Sequence, residues 1–124
     1  MKFSVDKRDK YSIFKLEEDK LTSQAAPMLK SEMIVLNAEG VRNIIFDMTQ
    51  IRFVDSSGLS SILIANRLCK NANGSFVLTG VSESVQKLIK ISQLDSILTI
   101  IPTLQEAIDL VLMEELERDV RDDA

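Results

Sequence analysis

Histidine is absent from all 124 residues, and that absence removes much of enzyme chemistry. No Ser-His-Asp triad, no Cys-His pair and no imidazole metal ligand can be assembled from this chain. Cysteine occurs once, at Cys69, so no disulfide can form within the chain. Cys69 falls in a strongly helical stretch that calls for a small apolar side chain, and it is expected in the core. Tryptophan is missing and aromatics are only 5% of the residues, which leaves the core to Ile, Leu, Val and Met, side chains suited to a sheet covered by helices. No apolar run is long enough for a signal peptide or a membrane span, at Met1-Lys2-Phe3-Ser4-Val5 or later. Cations are also in deficit: 15 Lys and Arg face 19 Asp and Glu, for a formal net charge of -4. Without a basic stripe the counterion-releasing contacts of a nucleic-acid binder are not available. These absences lead us to expect a cytoplasmic protein that neither inserts into a membrane nor binds nucleic acid.

What the chain does contain is 45% apolar residues in a length that suits one core and not two. Phe3-Ser4-Val5 and Tyr11 to Leu16 read as two strands around the charged turn Asp6 to Lys10. Thr22 or Ser23 is positioned to cap a helix with apolar positions Met28, Leu29, Met33 and Leu36, ending near Gly40, with Pro27 tolerated in its first turn. Asn43 to Met48 is an apolar run without alternation, the mark of a central strand covered on both faces. Ile51 to Val54 leads to Asp55, and from Gly58 the spacing of Leu59, Ile62, Leu63, Leu68 and Cys69 is helical until Asn71-Ala72-Asn73-Gly74. A strand at Phe76 to Thr79, a helix capped by Ser82 and a short strand at Ile97 to Ile100 follow. The last helix opens with a capping box made by Thr103 and Glu106. The order β-β-α-β-α-β-α-β-α predicts an α/β sheet with parallel crossovers. The charge-rich segment 114–124 reads as a helix end fraying into solvent after a domain spanning 1–113.

Chemistry concentrates at Phe53-Val54-Asp55-Ser56-Ser57-Gly58-Leu59, where an apolar strand ends and an apolar helix begins. Such junctions gather ligands and partners in open α/β sheets, because a helix N-terminus offers unpaired N–H groups. The same residues are also simply good caps and turn formers. Enzyme motifs do not fit them. Val54 stands where a nucleophile elbow needs its first glycine, and no histidine is present as base; neither glycine-rich phosphate-binding motif occurs. A phospho-accepting Asp47 would need an acidic cluster that the opening strands do not supply.

The run Ile44-Ile45-Phe46-Asp47 followed by Ile51-Arg52-Phe53-Val54-Asp55-Ser56-Ser57-Gly58-Leu59-Ser60 resembles the signature of STAS domains, and within them the bacterial anti-sigma factor antagonists. The likeness continues through Asn73-Gly74-Ser75-Phe76-Val77-Leu78-Thr79-Gly80 and Val85-Gln86-Lys87-Leu88-Ile89, covering about residues 1–113. It implies a four- to five-stranded mixed sheet with about four helices mainly on one face. It implies no catalytic activity and no cofactor. The resemblance also implies a partner switch that regulates transcription: the unphosphorylated protein binds an anti-sigma factor that is also a serine kinase, and phosphorylation ends the binding. ATP and magnesium would belong to the kinase, and a phosphatase would reverse the step. The accepting serine is carried over to Ser56. Asp55, Ser57, Gly58 and Leu59, with the loop at Leu21, Thr22 and Ser23, are the implied docking surface. The family's Leu-Asp pair after the second strand is here Leu21-Thr22, so one carboxylate of the usual contact is missing. Other STAS domains serve as subunits of lipid or anion transport complexes, which is the alternative function.

Overall fold

The computed structural model describes residues 1–123, with side chains for 1–121. Strands β1 (Phe3–Lys7) and β2 (Ser12–Leu16) form the expected hairpin, followed by a two-residue strand β3 (Lys20–Leu21) and helix α1 (Ala26–Ala38). Then come β4 (Ile44–Asp47), the short β5 (Phe53–Val54), α2 (Ser56–Asn71), β6 (Phe76–Thr79), α3 (Glu83–Ile91), β7 (Thr99–Ile101) and α4 (Leu104–Asp123). The main sheet has the order β1-β2-β4-β6-β7. Its β1–β2 pair is antiparallel and every other pair is parallel. Strands β3 and β5 pair parallel in a separate two-stranded sheet, Leu21 opposite Val54. The expected α/β class with four helices and a five-stranded mixed sheet is what forms.

Strand alternation divides the core. Phe14, Ile44, Phe46, Phe76 and Leu78 face one side, where Leu29, Met33 and Leu36 of α1, Ile62 and Cys69 of α2, and Val85 and Ile89 of α3 cover them. Four of the five phenylalanines form a row across this face: Phe3 stacks on Phe14 at 5.1 Å, Phe14 meets Phe46 edge-on at 5.7 Å, and Phe46 meets Phe76 at 6.4 Å. Such contacts add about 0.5–1.5 kcal/mol each beyond burial, so the few aromatics are spent where strands meet. Cys69 is buried, and burial pushes its thiol up to about 12, making it an inert core residue as expected.

On the other face Ile45 and Val77 pack under Ala107 and Val111 of α4. Three helices thus lie on one side and one on the other, which explains why β4 has no polar alternation. The segment read as a fraying end is instead part of α4: the helix continues unbroken past residue 113, and only Ala124 lies outside the described residues. Glu115 is 8% exposed. Its carboxylate accepts hydrogen bonds from Arg42 (2.6 Å), Asn43 Nδ2 (2.8 Å) and Arg118 (3.0 Å). Asn43 Oδ1 in turn accepts from the Ser75 N–H and from Arg118, both at 2.9 Å. Asn43 and Ser75 immediately precede β4 and β6, so the network clamps α4 to the sheet.

Two local expectations need correction. Neither Thr22 nor Ser23 caps α1; the N-cap is Ala25, without a side-chain hydrogen bond. The Thr22 carbonyl accepts from the amides of Ala25 and Ala26, and the Ser23 amide is engaged elsewhere, so the helix starts at the turn just before Pro27. In the capping box, the Glu106 amide donates to Thr103 Oγ1 at 3.2 Å, while the Thr103 hydroxyl meets the Glu106 carboxylate at 2.7 Å in place of the reciprocal backbone bond.

Burial pulls the Glu115 carboxyl upward, yet the three hydrogen bonds outweigh it and hold its pKa at about 2, against an ordinary 4.5. A lowered folded-state pKa stabilises above the unfolded value and is lost as pH falls from about 4.5 towards 2. Glu115→Gln is therefore expected to cost about 1–3 kcal/mol at neutral pH, and the deficit should shrink at pH near 3. Urea unfolding at both pH values checks this; an equal deficit at both would reject the role given to the ionised carboxylate.

Candidate functional site

The site is built where the small β3–β5 sheet hands the chain to α2. Val54 is buried against the core and Asp55 follows in extended conformation (φ -95°, ψ -176°) as the N-cap of α2. Its carboxylate has two partners: Oδ1 accepts from the Gly58 N–H at 2.8 Å, and Oδ2 accepts from the Ser23 N–H at 3.1 Å. One side chain thus satisfies an orphan amide of the helix and fixes the loop ahead of α1. The Asp55 amide also donates to the Leu21 carbonyl at 3.3 Å.

Gly58 is fixed by packing. A Cβ there would lie 2.1 Å from the Leu21 carbonyl oxygen, closer than any side chain permits, so the first turn of α2 rests directly on β3. Gly58 and Leu59 are buried and so is Leu21. Of the residues implied as a docking surface, these three form the floor. Ser56 and Ser23 are exposed, and Thr22, Asp55 and Ser57 are half-buried. The Ser56 hydroxyl makes no hydrogen bond among the described residues, whereas Ser61, one turn later, is buried and donates to the Gly58 carbonyl at 2.6 Å.

Ser56 and Ser57 open onto a hollow of about 290 Å³ shared by Ser23, Ala26, Pro27, Lys30 and Ser60. Lys30 and Ser60 were not singled out from sequence. Ser60 ends the quoted signature run and repeats Ser56 at helical spacing, which is a detectable signal; Lys30 is brought in only by the packing of α1 against α2. Beside the hollow, the fifth phenylalanine, Phe53, is 53% exposed and borders a groove of about 250 Å³ with Val85 and Leu88.

Elsewhere the polar turns are structural. Asp47 Oδ1 accepts from the amide and hydroxyl of Thr49, at 3.0 and 2.7 Å. Among the described residues no group of three or more Cys, Asp and Glu is placed to hold a metal ion, and no helix is long and apolar enough to cross a membrane.

Residues 2–107 match the STAS domain family model. Among solved structures, the fold is similar to that of a putative anti-sigma factor antagonist from Thermotoga maritima: 23% identity, TM-score 0.79, over 88% of this chain and 93% of that one. It is likewise similar to the Bacillus cell fate determinant SpoIIAA in its phosphorylated form, with 24% identity and a TM-score of 0.69 over 89% and 99%. A sulfate transporter family protein from Wolinella succinogenes matches with 17% identity and a TM-score of 0.70 over 84% of each chain. At these identities the likenesses establish the fold. With the family match running through both sheets and into the last helix, the chain belongs to the STAS domain family.

Proposed function

We propose that this chain is an anti-sigma factor antagonist, a regulatory binding protein without catalytic activity of its own. In its unphosphorylated form it binds an anti-sigma factor that is also a serine kinase, and phosphorylation of Ser56 ends that binding. The observation that carries the reading is the state of Ser56: an exposed hydroxyl without an internal partner, on a turn whose other residues are fixed by Asp55 and Gly58. A kinase needs such a hydroxyl, and a docking partner needs such a rigid rim. The exposed residues Ser23, Phe53 and Ser56, with half-buried Thr22, Asp55 and Ser57, form the contact; Leu21, Gly58 and Leu59 support it from beneath. ATP and magnesium enter with the kinase, and a phosphatase restores the hydroxyl.

The physics of the switch follows from charge. A phosphoserine carries about -1.5 to -2 charges at neutral pH, here next to Asp55 in a chain of net charge -4. Burying that charge without a partner in a close interface costs roughly 3–5 kcal/mol, which lowers affinity by about a hundredfold to a few thousandfold. The Bacillus structure carries a phosphate on the same fold, which supports a modified form that stays folded.

Ser56→Ala is expected to bind the anti-sigma factor and resist phosphorylation, whereas Ser56→Asp should bind about tenfold or more weakly. Calorimetry with the copurified partner, and intact mass after incubation with ATP, test both. Equal affinity of the two variants would reject charge repulsion, and copurification with a transporter in place of a kinase would favour the transport-subunit reading. Gly58→Ala should cost about 1–3 kcal/mol through the forced shift at Leu21 and weaken partner binding by displacing Ser56. An unchanged melting temperature would show that the contact with β3 yields easily.

A further inference from the structure

The hollow beside Ser56 differs in charge from the chain as a whole. Although acids outnumber bases 19 to 15, no carboxylate lines it: α2 contributes the hydroxyls of Ser56, Ser57 and Ser60, and α1 contributes Lys30, the sole charged side chain in its wall. The nearest acid along the chain, Asp55, has both oxygens engaged by the amides of Gly58 and Ser23.

Lys30 is half-buried and has neither hydrogen bond nor ion pair among the described residues. Its own helix offers none. The positions one turn away, where an acid would reach it, are Ala26, Pro27, Met33 and Ile34. The ammonium is left with three donors on a flexible stem, and Lys30 shares with Ser56, Ser57 and Ser60 the lining of a hollow of about 290 Å³.

We infer that Lys30 is the built-in counter-charge for phosphate on Ser56, a positioning residue that draws the phosphoryl group into the hollow between α1 and α2. This rests on the phosphorylation proposed above. In that step the Oγ–P bond forms as the bond from the γ-phosphorus of the kinase's ATP to its β,γ-bridging oxygen breaks, ADP leaves with that oxygen, and the hydroxyl proton passes to a base on the kinase. The new phosphate oxygens then accept hydrogen bonds from the Lys30 ammonium, with the hydroxyls of Ser57 and Ser60 in the same wall. Phosphorylation thereby alters the docking rim twice: it adds negative charge and occupies the one cation that lines the hollow.

The test uses the full chain with phosphoserine installed at position 56 by genetic encoding, so that no kinase is needed. Phosphorus NMR follows the second ionisation of the phosphate, ordinarily near pH 6. Lys30 favours the dianion, so Lys30→Met is expected to raise the midpoint by a few tenths of a pH unit, the size of shift an exposed ion pair supports. Lys30→Arg should keep the parent midpoint, and 1 M salt should shrink the difference between parent and Lys30→Met. Asp55 is retained in every variant, so its own effect on the phosphate cancels. Lys30→Gln, with matched circular dichroism melts, guards against a folding defect in Lys30→Met. Identical midpoints in folded parent, Met and Gln variants would overturn the assignment of Lys30 while leaving the switch intact. A Lys30-dependent midpoint in a phosphoprotein that still binds its anti-sigma factor at full affinity would support the counter-charge and reject the switch.

Discussion

The contact between Gly58 and the Leu21 carbonyl governs the geometry of the candidate site. With no side chain between them, the first turn of α2 lies against β3, and β3 is held by its two-residue pairing with β5, by the burial of Leu21 and by the Asp55 amide on the Leu21 carbonyl. Asp55 then closes the arrangement, since its carboxylate joins an amide of α2 to the amide of Ser23 ahead of α1. Two segments far apart in the chain, Lys20 to Ser23 and Phe53 to Gly58, are thereby locked around one residue, Ser56, whose side chain takes no part in the locking. A hydroxyl free of structural duty on a fixed scaffold can be modified without unfolding what surrounds it. That separation of tasks is the physical basis for reading the turn as a switch.

The opposite end of the sheet is organised by charge. Glu115, Asn43, Arg42, Arg118 and Ser75 are joined by hydrogen bonds where β4 and β6 begin, with Arg118 Nε left without a partner. A buried ion pair seldom contributes more than well-packed apolar residues would, but breaking it leaves an uncompensated charge. Its effect here is orientation: α4 crosses alone to the second face, where Ala107 and Val111 give it a small apolar footprint, and the polar clamp fixes where along the sheet it sits. In the sequence the same residues look like a solvated charged tail, because helical spacing of acids and bases is equally compatible with water on every side. Only the strand-initial positions of Asn43 and Ser75 decide between the two.

Legibility followed the length of the sequence signal. Strands β1, β2, β4 and β6 and the three longer helices announce themselves through periodicity and turn residues, and the cap at Ser82 is present as read, accepting from the Val85 amide at 3.3 Å. Strand β3 has two residues and no periodicity to detect, so the support under Gly58 was invisible, and with it the reason that the glycine is required. The Asp-Ser-Ser-Gly turn was legible because cap chemistry is local. The division of the implied surface into exposed Ser56 and buried Leu21 and Leu59 was not, because exposure depends on what packs from elsewhere. Lys30 carries no motif at all; it joins the site only through the pairing of α1 with α2.

The acidity of the chain gives these placements their meaning. In the proposed switch, phosphate added to a chain of net charge -4 is readily solvated on the monomer but must lose water in a close interface, so modification would penalise the complex far more than the monomer. That asymmetry is what the proposed switch requires: modified and unmodified chains that differ little in folding and strongly in association. A helix N-terminus contributes about 0.3–1 kcal/mol of attraction for an anion at an exposed site, several times smaller than the roughly 3–5 kcal/mol of burying it unpaired. That attraction, on the order of the thermal energy, is too weak to offset burial of the phosphate in the proposed interface. The proposed direction of switching therefore follows from the relation between these two magnitudes, and it needs no rearrangement of the helix that carries Ser56.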